Sequence, residues 1–177
     1  MMSVEDFEAL ARTCPETVTL ELINGRLEVK PVPDGDHDEI IMWVAMQCTQ
    51  QQPELRLYRE RGLRIGGDRN GRARPDGTLA RVGRFSGDGE WSSPDRLLMT
   101  VDVASCDDSH EKACGYAAAG IPLCLLIDRR SGAFAVRSEP DTVRYRRQRL
   151  YDLGEAVPLP HPVGITLDTE ELKNYAR

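Results

Sequence analysis

Asp102 stands in the middle of an apolar run, Leu97-Leu-Met-Thr-Val-Asp-Val-Ala104. A carboxylate taken out of water on its own is costly, so this one has to be solvated, hydrogen-bonded, paired with a cation or bound to a metal. One reading is period-2 alternation, with Thr100 and Asp102 on a wet face and Val101 and Val103 in the core; the other is a functional acid. The stretch alone does not decide. Asp76 follows Pro75, which biases Arg74 toward an extended conformation and so fixes how the acid leaves its strand, although Pro-Asp-Gly is also common turn chemistry. Lys112 lies four residues after Asp108 near the start of a helix. It is either half of a solvated pair worth about 0.3–0.5 kcal/mol or a basic residue delivered to a site. Two acids and an ammonium, if folding gathers them, are the groups that hold a hard divalent cation and act on a phosphate.

The elements that would carry these residues follow from local signals. Ser3, with Asp6 three residues on and Val4, Phe7, Leu10 and Ala11 at helical spacing, predicts a capped short helix. Val18 to Ile23 and Leu27 to Val29 flank Asn24-Gly25, the chemistry of a tight hairpin turn. After the loop Pro31 to Asp36, a helix capped by Asp36 or His37 presents Ile40, Ile41, Val44, Ala45 and Cys48 on one face and ends at Pro53. Leu55 to Ile65 reads as a strand, Gly66 to Gly71 as a polar turn, Arg74-Pro75-Asp76 to Arg81 as a shorter strand, and Gly83 to Pro94 as a loop.

The run Leu97–Ala104 is the most strand-like stretch. It precedes a helix at about Asp108 to Ala119, stopped by Gly120 and Pro122, and then a second apolar strand, Leu123 to Ile127. Strand, helix and strand with short connections predict a right-handed crossover with parallel strands. Ala133 to Ser138 and Val143 to Tyr151 add two strands around the turn Arg129–Gly132, and Thr169 to Leu172 starts a short terminal helix.

The chain has 177 residues, 40% of them hydrophobic and 29% charged, which suits one globular domain spanning residues 1–177 and excludes a disordered chain. Its five cysteines, Cys14, Cys48, Cys106, Cys114 and Cys124, form no C-x-x-C pair and read as reduced core residues. No signal-like start and no apolar run of spanning length is found, which predicts a soluble, cytoplasmic protein with no membrane partner. A net charge of −6 argues against a protein that coats nucleic acid with its whole surface. Arginines nevertheless cluster between Arg56 and Arg74 and again in Val143-Arg-Tyr-Arg-Arg-Gln-Arg149, where a solvated strand face is the expected reading. The alternating acids of Asp34-Gly-Asp-His-Asp38 lack the later Gly and Glu of a calcium loop and read as a solvated loop with a helix cap. His110 and His161 have no partner pattern for zinc or for a catalytic triad.

Taken together, Arg74-Pro-Asp76, Val101-Asp-Val-Ala-Ser105, Asp108-x-x-x-Lys112-x-x-x-Tyr116, Gly120-Ile-Pro and Leu126-Ile-Asp128 resemble the Uma-type family of "putative restriction endonucleases", placed in the PD-(D/E)XK nuclease superfamily. Leu20-Glu-Leu-Ile-Asn-Gly25 is similar to that family's opening hairpin, and His37 falls where its first long helix begins. The resemblance implies an α/β (α+β) restriction-endonuclease-like core, a mixed central sheet flanked by helices behind an N-terminal helix and hairpin. It implies a metal-dependent DNA endonuclease that hydrolyses phosphodiester bonds. Asp76 and Asp102 would hold Mg²⁺ or Mn²⁺, Lys112 would be the basic residue, Glu21 an accessory acid and His37 a further site residue. The partner would be DNA, approached as a homodimer if two-fold symmetry matches two strands. The superfamily's lysine usually lies two residues after the second acid, where this chain has Ala104, so Lys112 has to reach in from the helix. Asp102 also stands where the family more often carries the longer Glu. The alternative is a catalytically weak or inactive nuclease-fold module that binds nucleic acid or a protein partner. With no ion between them, Asp76 and Asp102 are expected to repel each other.

Overall fold

The structure, a computed structural model, describes residues 1–104 and 108–175. Helix α1 (Val4–Thr13) starts as expected: the Ser3 side chain accepts from the Asp6 N–H at 3.1 Å. Strands β1 (Thr19–Ile23) and β2 (Arg26–Lys30) form the opening hairpin. Its turn residues both take positive φ, 50° at Asn24 and 73° at Gly25, the combination that matches the twist of a two-residue hairpin. Helix α2 (Gly35–Gln51) is capped by Asp34 rather than by Asp36 or His37; Asp34 Oδ1 accepts from the His37 N–H at 2.8 Å. Asp34 is fixed in turn by Arg129, at 2.9 and 3.1 Å.

The expected strand Leu55–Ile65 is two strands in two different sheets. β3 (Leu55–Arg59) belongs to a six-stranded sheet and β4 (Gly62–Ile65) to a five-stranded one. The chain turns between them at Glu60, which has φ of 52°, a left-handed conformation uncommon for a side chain with Cβ. It crosses back a few residues later. β5 (Gly71–Ala73) lies in the five-stranded sheet and β6 (Gly77–Arg81) in the six-stranded one, so Arg74-Pro75-Asp76 is the connection and not part of a strand. Pro75 lacks the N–H that a strand at this point would need.

β7 (Trp91–Ser92) is a short strand inside the expected loop, and β8 (Met99–Val103) runs antiparallel to β6. Helix α3 (His110–Ala118) then leads to β9 (Leu123–Asp128), which pairs parallel with β8, as the strand–helix–strand pattern requires. Gly120, at φ of 79°, ends the helix in a Schellman motif: the Gly120 N–H bonds the Ala117 carbonyl and the Ile121 N–H bonds the Tyr116 carbonyl. β10 (Ala133–Pro140) and β11 (Tyr145–Asp152) complete the larger sheet, in the order β11-β10-β9-β8-β6-β3. The smaller sheet is ordered β2-β1-β5-β4-β7. A hairpin of β12 (Ala156–Leu159) and β13 (Ile165–Asp168) precedes a terminal 3-10 helix, Glu170–Asn174. It occupies a Pro-rich stretch for which the sequence gives no strand expectation.

α2 and the β12-β13 hairpin bury one face of the larger sheet, in a core that includes Ile41, Val44, Met99, Val101, Leu125, Phe134 and Leu167. α3 covers a second core, where Ala113 and Tyr116 meet Ile23, Leu63, Ile65 and Cys124. Among the described cysteines all are free; Cys48 and Cys124 are buried, Cys14 and Cys114 only partly so, and Cys106 lies outside the described residues. Burial pushes the Cys48 thiol up to about 12, which keeps it an inert core thiol.

The tightest backbone approach is at Gly62, where an added Cβ would sit 2.5 Å from the Glu90 carbonyl oxygen and 2.8 Å from the Trp91 ring. Gly62→Ala is therefore expected to force β4 and β7 apart and cost about 1–3 kcal/mol of stability. Urea unfolding of parent and variant measures the difference; an unchanged midpoint would mean that the pairing gives way without cost.

Candidate active site

The crossings between the two sheets place three carboxylates in one seam. Glu21 comes from β1, Asp102 from β8, and Asp76 from the β5–β6 connection; each is 4 or 5% exposed. β6 and β8 pair Gly77 with Val101, so continuing that antiparallel register by one residue sets Asp76 beside Asp102. Directly opposed residues on antiparallel neighbours have Cβ atoms about 4.5–5.5 Å apart. The backbone confirms the approach: Asp76 Oδ2 accepts from the Val103 N–H at 2.8 Å. The acids are thus neighbours across an antiparallel pair, whereas the parallel partner of β8 is β9.

Alternation along β8 is present but has no wet face. Met99 and Val101 enter the core beneath α2, while Asp102 faces α3 and accepts from the buried Tyr116 hydroxyl at 3.0 Å. Burial, followed by the charges of Asp102 and Glu21, holds Tyr116 well above its ordinary value, so it stays a neutral donor. Lys112 does not serve a solvated helix pair either. Its Nζ lies 2.8 Å from Glu21 Oε1 and 3.1 Å from Asp102 Oδ1, and its side chain is only 12% exposed. Burial works against the charge on Lys112, but Asp102, Glu21 and the nearby Asp76 outweigh it and hold the ammonium well above its usual value. Glu21 also accepts from the Arg74 N–H at 2.6 Å, which ties β1 to the connection that carries Asp76.

Asp76 has its own cation. Lys30, at the end of β2, places Nζ 2.7 Å from Asp76 Oδ1 and also bonds Glu60 at 3.0 and 3.1 Å and the Arg74 carbonyl at 2.8 Å. His37 Nε2 lies 3.1 Å from Asp76 Oδ2, delivered from the first turn of α2 by the Asp34 cap. Burial alone would raise the Asp76 carboxyl, but the His37 hydrogen bond, the Lys30 charge and the Val103 N–H hold it well below the usual range. The expected repulsion between Asp76 and Asp102 is accordingly answered by a separate lysine on each.

All five residues singled out in the sequence, Glu21, His37, Asp76, Asp102 and Lys112, fall in or on this seam. Lys30 and Glu60 were missed, and Tyr116 was noted only as part of the motif. Lys30 lies at the end of a short strand next to Pro31 with no local mark of burial. One signal was available: Glu21 pairs directly with Glu28 in the hairpin, and like charges so placed call for a cation from elsewhere. Glu28 carries the trace of this, its carboxyl raised by burial and then by Glu21 and Glu111.

A family model, Uma2, described as "Putative restriction endonuclease", matches residues 4–170. The chain belongs to this family. Its fold is similar over 100% of both chains to a crystal structure from Anabaena variabilis described as "a putative nuclease belonging to DUF820", with a TM-score of 0.71 and 19% sequence identity. That likeness speaks for the fold, a nuclease-like mixed α+β architecture. No curated protein matches the chain.

The residues fit a divalent ion in donor type and in charge. Three buried carboxylates are matched by two lysines, which leaves the seam acidic by one charge, and carboxylate oxygens are the donors a hard cation prefers. Among the described residues no group of three or more His, Cys, Asp or Glu side chains is already gathered to hold a metal. No helix among them is long and apolar enough to cross a membrane.

The pH dependence of Asp76 follows from its lowered value. A carboxyl depressed on folding stabilises the protein above its unfolded value of about 3.9, and that stability is lost as pH falls toward the folded one. Asp76→Asn should therefore cost about 1–3 kcal/mol near neutral pH, because Lys30 loses its buried partner while keeping Glu60. The gap from the parent should narrow progressively below pH ~4. Urea unfolding free energies of both proteins across this range test it, and a gap that stays constant would contradict the assignment.

Proposed function

We propose that the chain is a divalent-metal-dependent endonuclease that hydrolyses phosphodiester bonds in DNA, with Asp76 and Asp102 as the residues that hold the ion. The observation that carries this reading is the pair of buried acids side by side, Asp76 just before β6 and Asp102 on β8, with an ammonium at each. When bound, Mg²⁺ or Mn²⁺ would activate a water and offset charge that develops on the phosphate.

The chain's own residues have separate tasks. Tyr116 donates to Asp102 Oδ2 and fixes the orientation of that carboxylate; the His37 ring and the Val103 N–H do the same for Asp76. Lys112 is the ammonium that would meet a phosphate oxygen, in the role that the superfamily assigns to a lysine closer in sequence. Glu21 keeps it aimed and charged. Lys30 supplies a second ammonium at the wall of a cleft of about 580 Å³ that is also lined by Arg59, Glu60, Arg74, Glu90 and Trp91, though not by Asp76, Asp102 or Lys112. The Arg74 guanidinium lies 4.5 Å from the Trp91 ring centre. Such a wall suits a phosphate backbone.

One feature supports a second reading, that of a non-catalytic nucleic-acid-binding relative: both metal-candidate acids already have short contacts to lysine, which an ion would have to displace.

Melting with EDTA and with Mn²⁺, together with plasmid cleavage, tests the proposal. The parent should gain about 2.7 kcal/mol at one hundred times the dissociation constant of the ion. Asp102→Asn should gain little and should not cleave. Lys112→Ala should keep the Mn²⁺-induced gain while cleavage falls, since an ammonium stabilises the phosphate and does not ligate the ion. Equal Mn²⁺ shifts in the parent and in Asp102→Asn would move the assignment to the second reading.

A further inference from the structure

We infer that the free edge of the larger sheet, strand β11, is a binding surface for the phosphate backbone of DNA. The inference rests on the nuclease reading only for the identity of the polyanion. Four of the six residues 144–149 are arginine, in a protein whose net charge is −6. β11 is the last strand of its sheet, and its side chains are exposed on both faces from Arg146 through Leu150. An edge strand that serves only to close a core buries alternate residues; this one presents Arg146 and Arg147 to opposite sides.

The acids nearby do not neutralise the strand. Glu139 reaches Arg147 at 3.7 Å, but both side chains are about half exposed. Asp141 is engaged by the Arg144 and Val143 N–H groups, at 2.8 Å each. Those bonds, and then the charges of Arg144 and Arg146, hold its carboxyl below its ordinary value. Among the described residues, Arg144, Arg146 and Arg149 make no ion pair.

The placement suits a ligand that also reaches the acidic seam. β11 lies three strands from β8 in the sheet order, roughly 14 Å at the usual strand spacing. A duplex whose major groove alone is about 12 Å wide spans that distance. Tyr145, at the start of β11, donates to the Ile121 carbonyl at 2.8 Å and so ties the arginine strand to the end of α3, the helix that carries Lys112 and Tyr116.

A simpler role for these arginines is to keep a free edge from pairing with other sheets. Charge of either sign would do that, which gives the test its contrast. Binding of a short fluorescein-labelled DNA duplex is followed by anisotropy in EDTA across a sodium chloride series. The proteins are the parent and variants in which Arg144, Arg146, Arg147 and Arg149 are all replaced by Gln, by Glu or by Lys, each checked by thermal melting. The Gln variant should bind at least tenfold more weakly at low salt. Its slope of log affinity against log salt should be shallower by about 2–4, since each lost phosphate contact removes about 0.9. The Glu variant should not bind, and the Lys variant should keep the parent's slope.

Equal affinities and slopes for parent and Gln variant would overturn the inference, as would a parent that ignores DNA but binds phosphatidylserine vesicles. The two readings fail separately. A parent that binds through these arginines but never cleaves with Mn²⁺ loses the nuclease reading and keeps this one. A parent that cleaves while the Gln variant binds unchanged does the reverse.

Discussion

Three carboxylates buried in the seam between two sheets set the terms for the rest of the molecule. Each loses its hydration on folding, a cost that only cations and hydrogen-bond donors in good geometry can offset. The donors come from elements far apart in sequence: Lys30 from the opening hairpin, His37 from α2, Lys112 and Tyr116 from α3, and backbone N–H groups from Arg74 and Val103. No one element can close the cluster alone. Docking of the hairpin, both sheets and helices α2 and α3 is therefore coupled through the same few polar contacts, while the apolar cores on either side supply most of the burial.

The seam exists because the chain changes sheets at Glu60 and again at Asp76. The first change costs backbone energy, since a left-handed residue with a Cβ is disfavoured by roughly 1–2 kcal/mol. Glu60 is held there from both ends: its carboxylate takes two short bonds from Lys30, and its carbonyl accepts from Arg74 Nη1 at 3.3 Å. Lys30 thus serves the turn and Asp76 together. Strain at a crossing beside the candidate site is consistent with a backbone shaped to position acids rather than to maximise strand length.

Much of this was legible in the sequence where local chemistry decides the outcome. Asn24-Gly25 has the one turn geometry it favours, Gly120 stops α3 as a left-handed cap must, and a short strand–helix–strand unit leaves little choice but a parallel pair. Asp102 declared itself because an acid inside Leu97–Ala104 demands an explanation. What could not be read depends on tertiary placement. Leu55–Ile65 looks like one strand because nothing local signals that its halves join different sheets. The wet face expected for Asp102 is occupied by α3, and Lys30 resembles any polar residue at the end of a hairpin. The β12–β13 hairpin was hidden by Pro158, Pro160 and Pro162, although Val157, Leu159, Ile165 and Leu167 alternate into the core as an edge hairpin should.

The charge count makes acids and lysines in the seam unequal. With three acids and two lysines, losing Asp102 still leaves Lys112 facing Glu21, so the ammonium keeps a partner at 2.8 Å. Losing Lys112 leaves Asp102 with the Tyr116 hydroxyl and Glu21 with the Arg74 N–H, both neutral donors. The ammonium is thus the shared partner of two buried carboxylates, whereas Asp102 is only one of its two acids. The lysines therefore do more than balance charge: each joins acids from different elements, Lys112 tying β1 to β8 and Lys30 tying the Glu60 turn to Asp76.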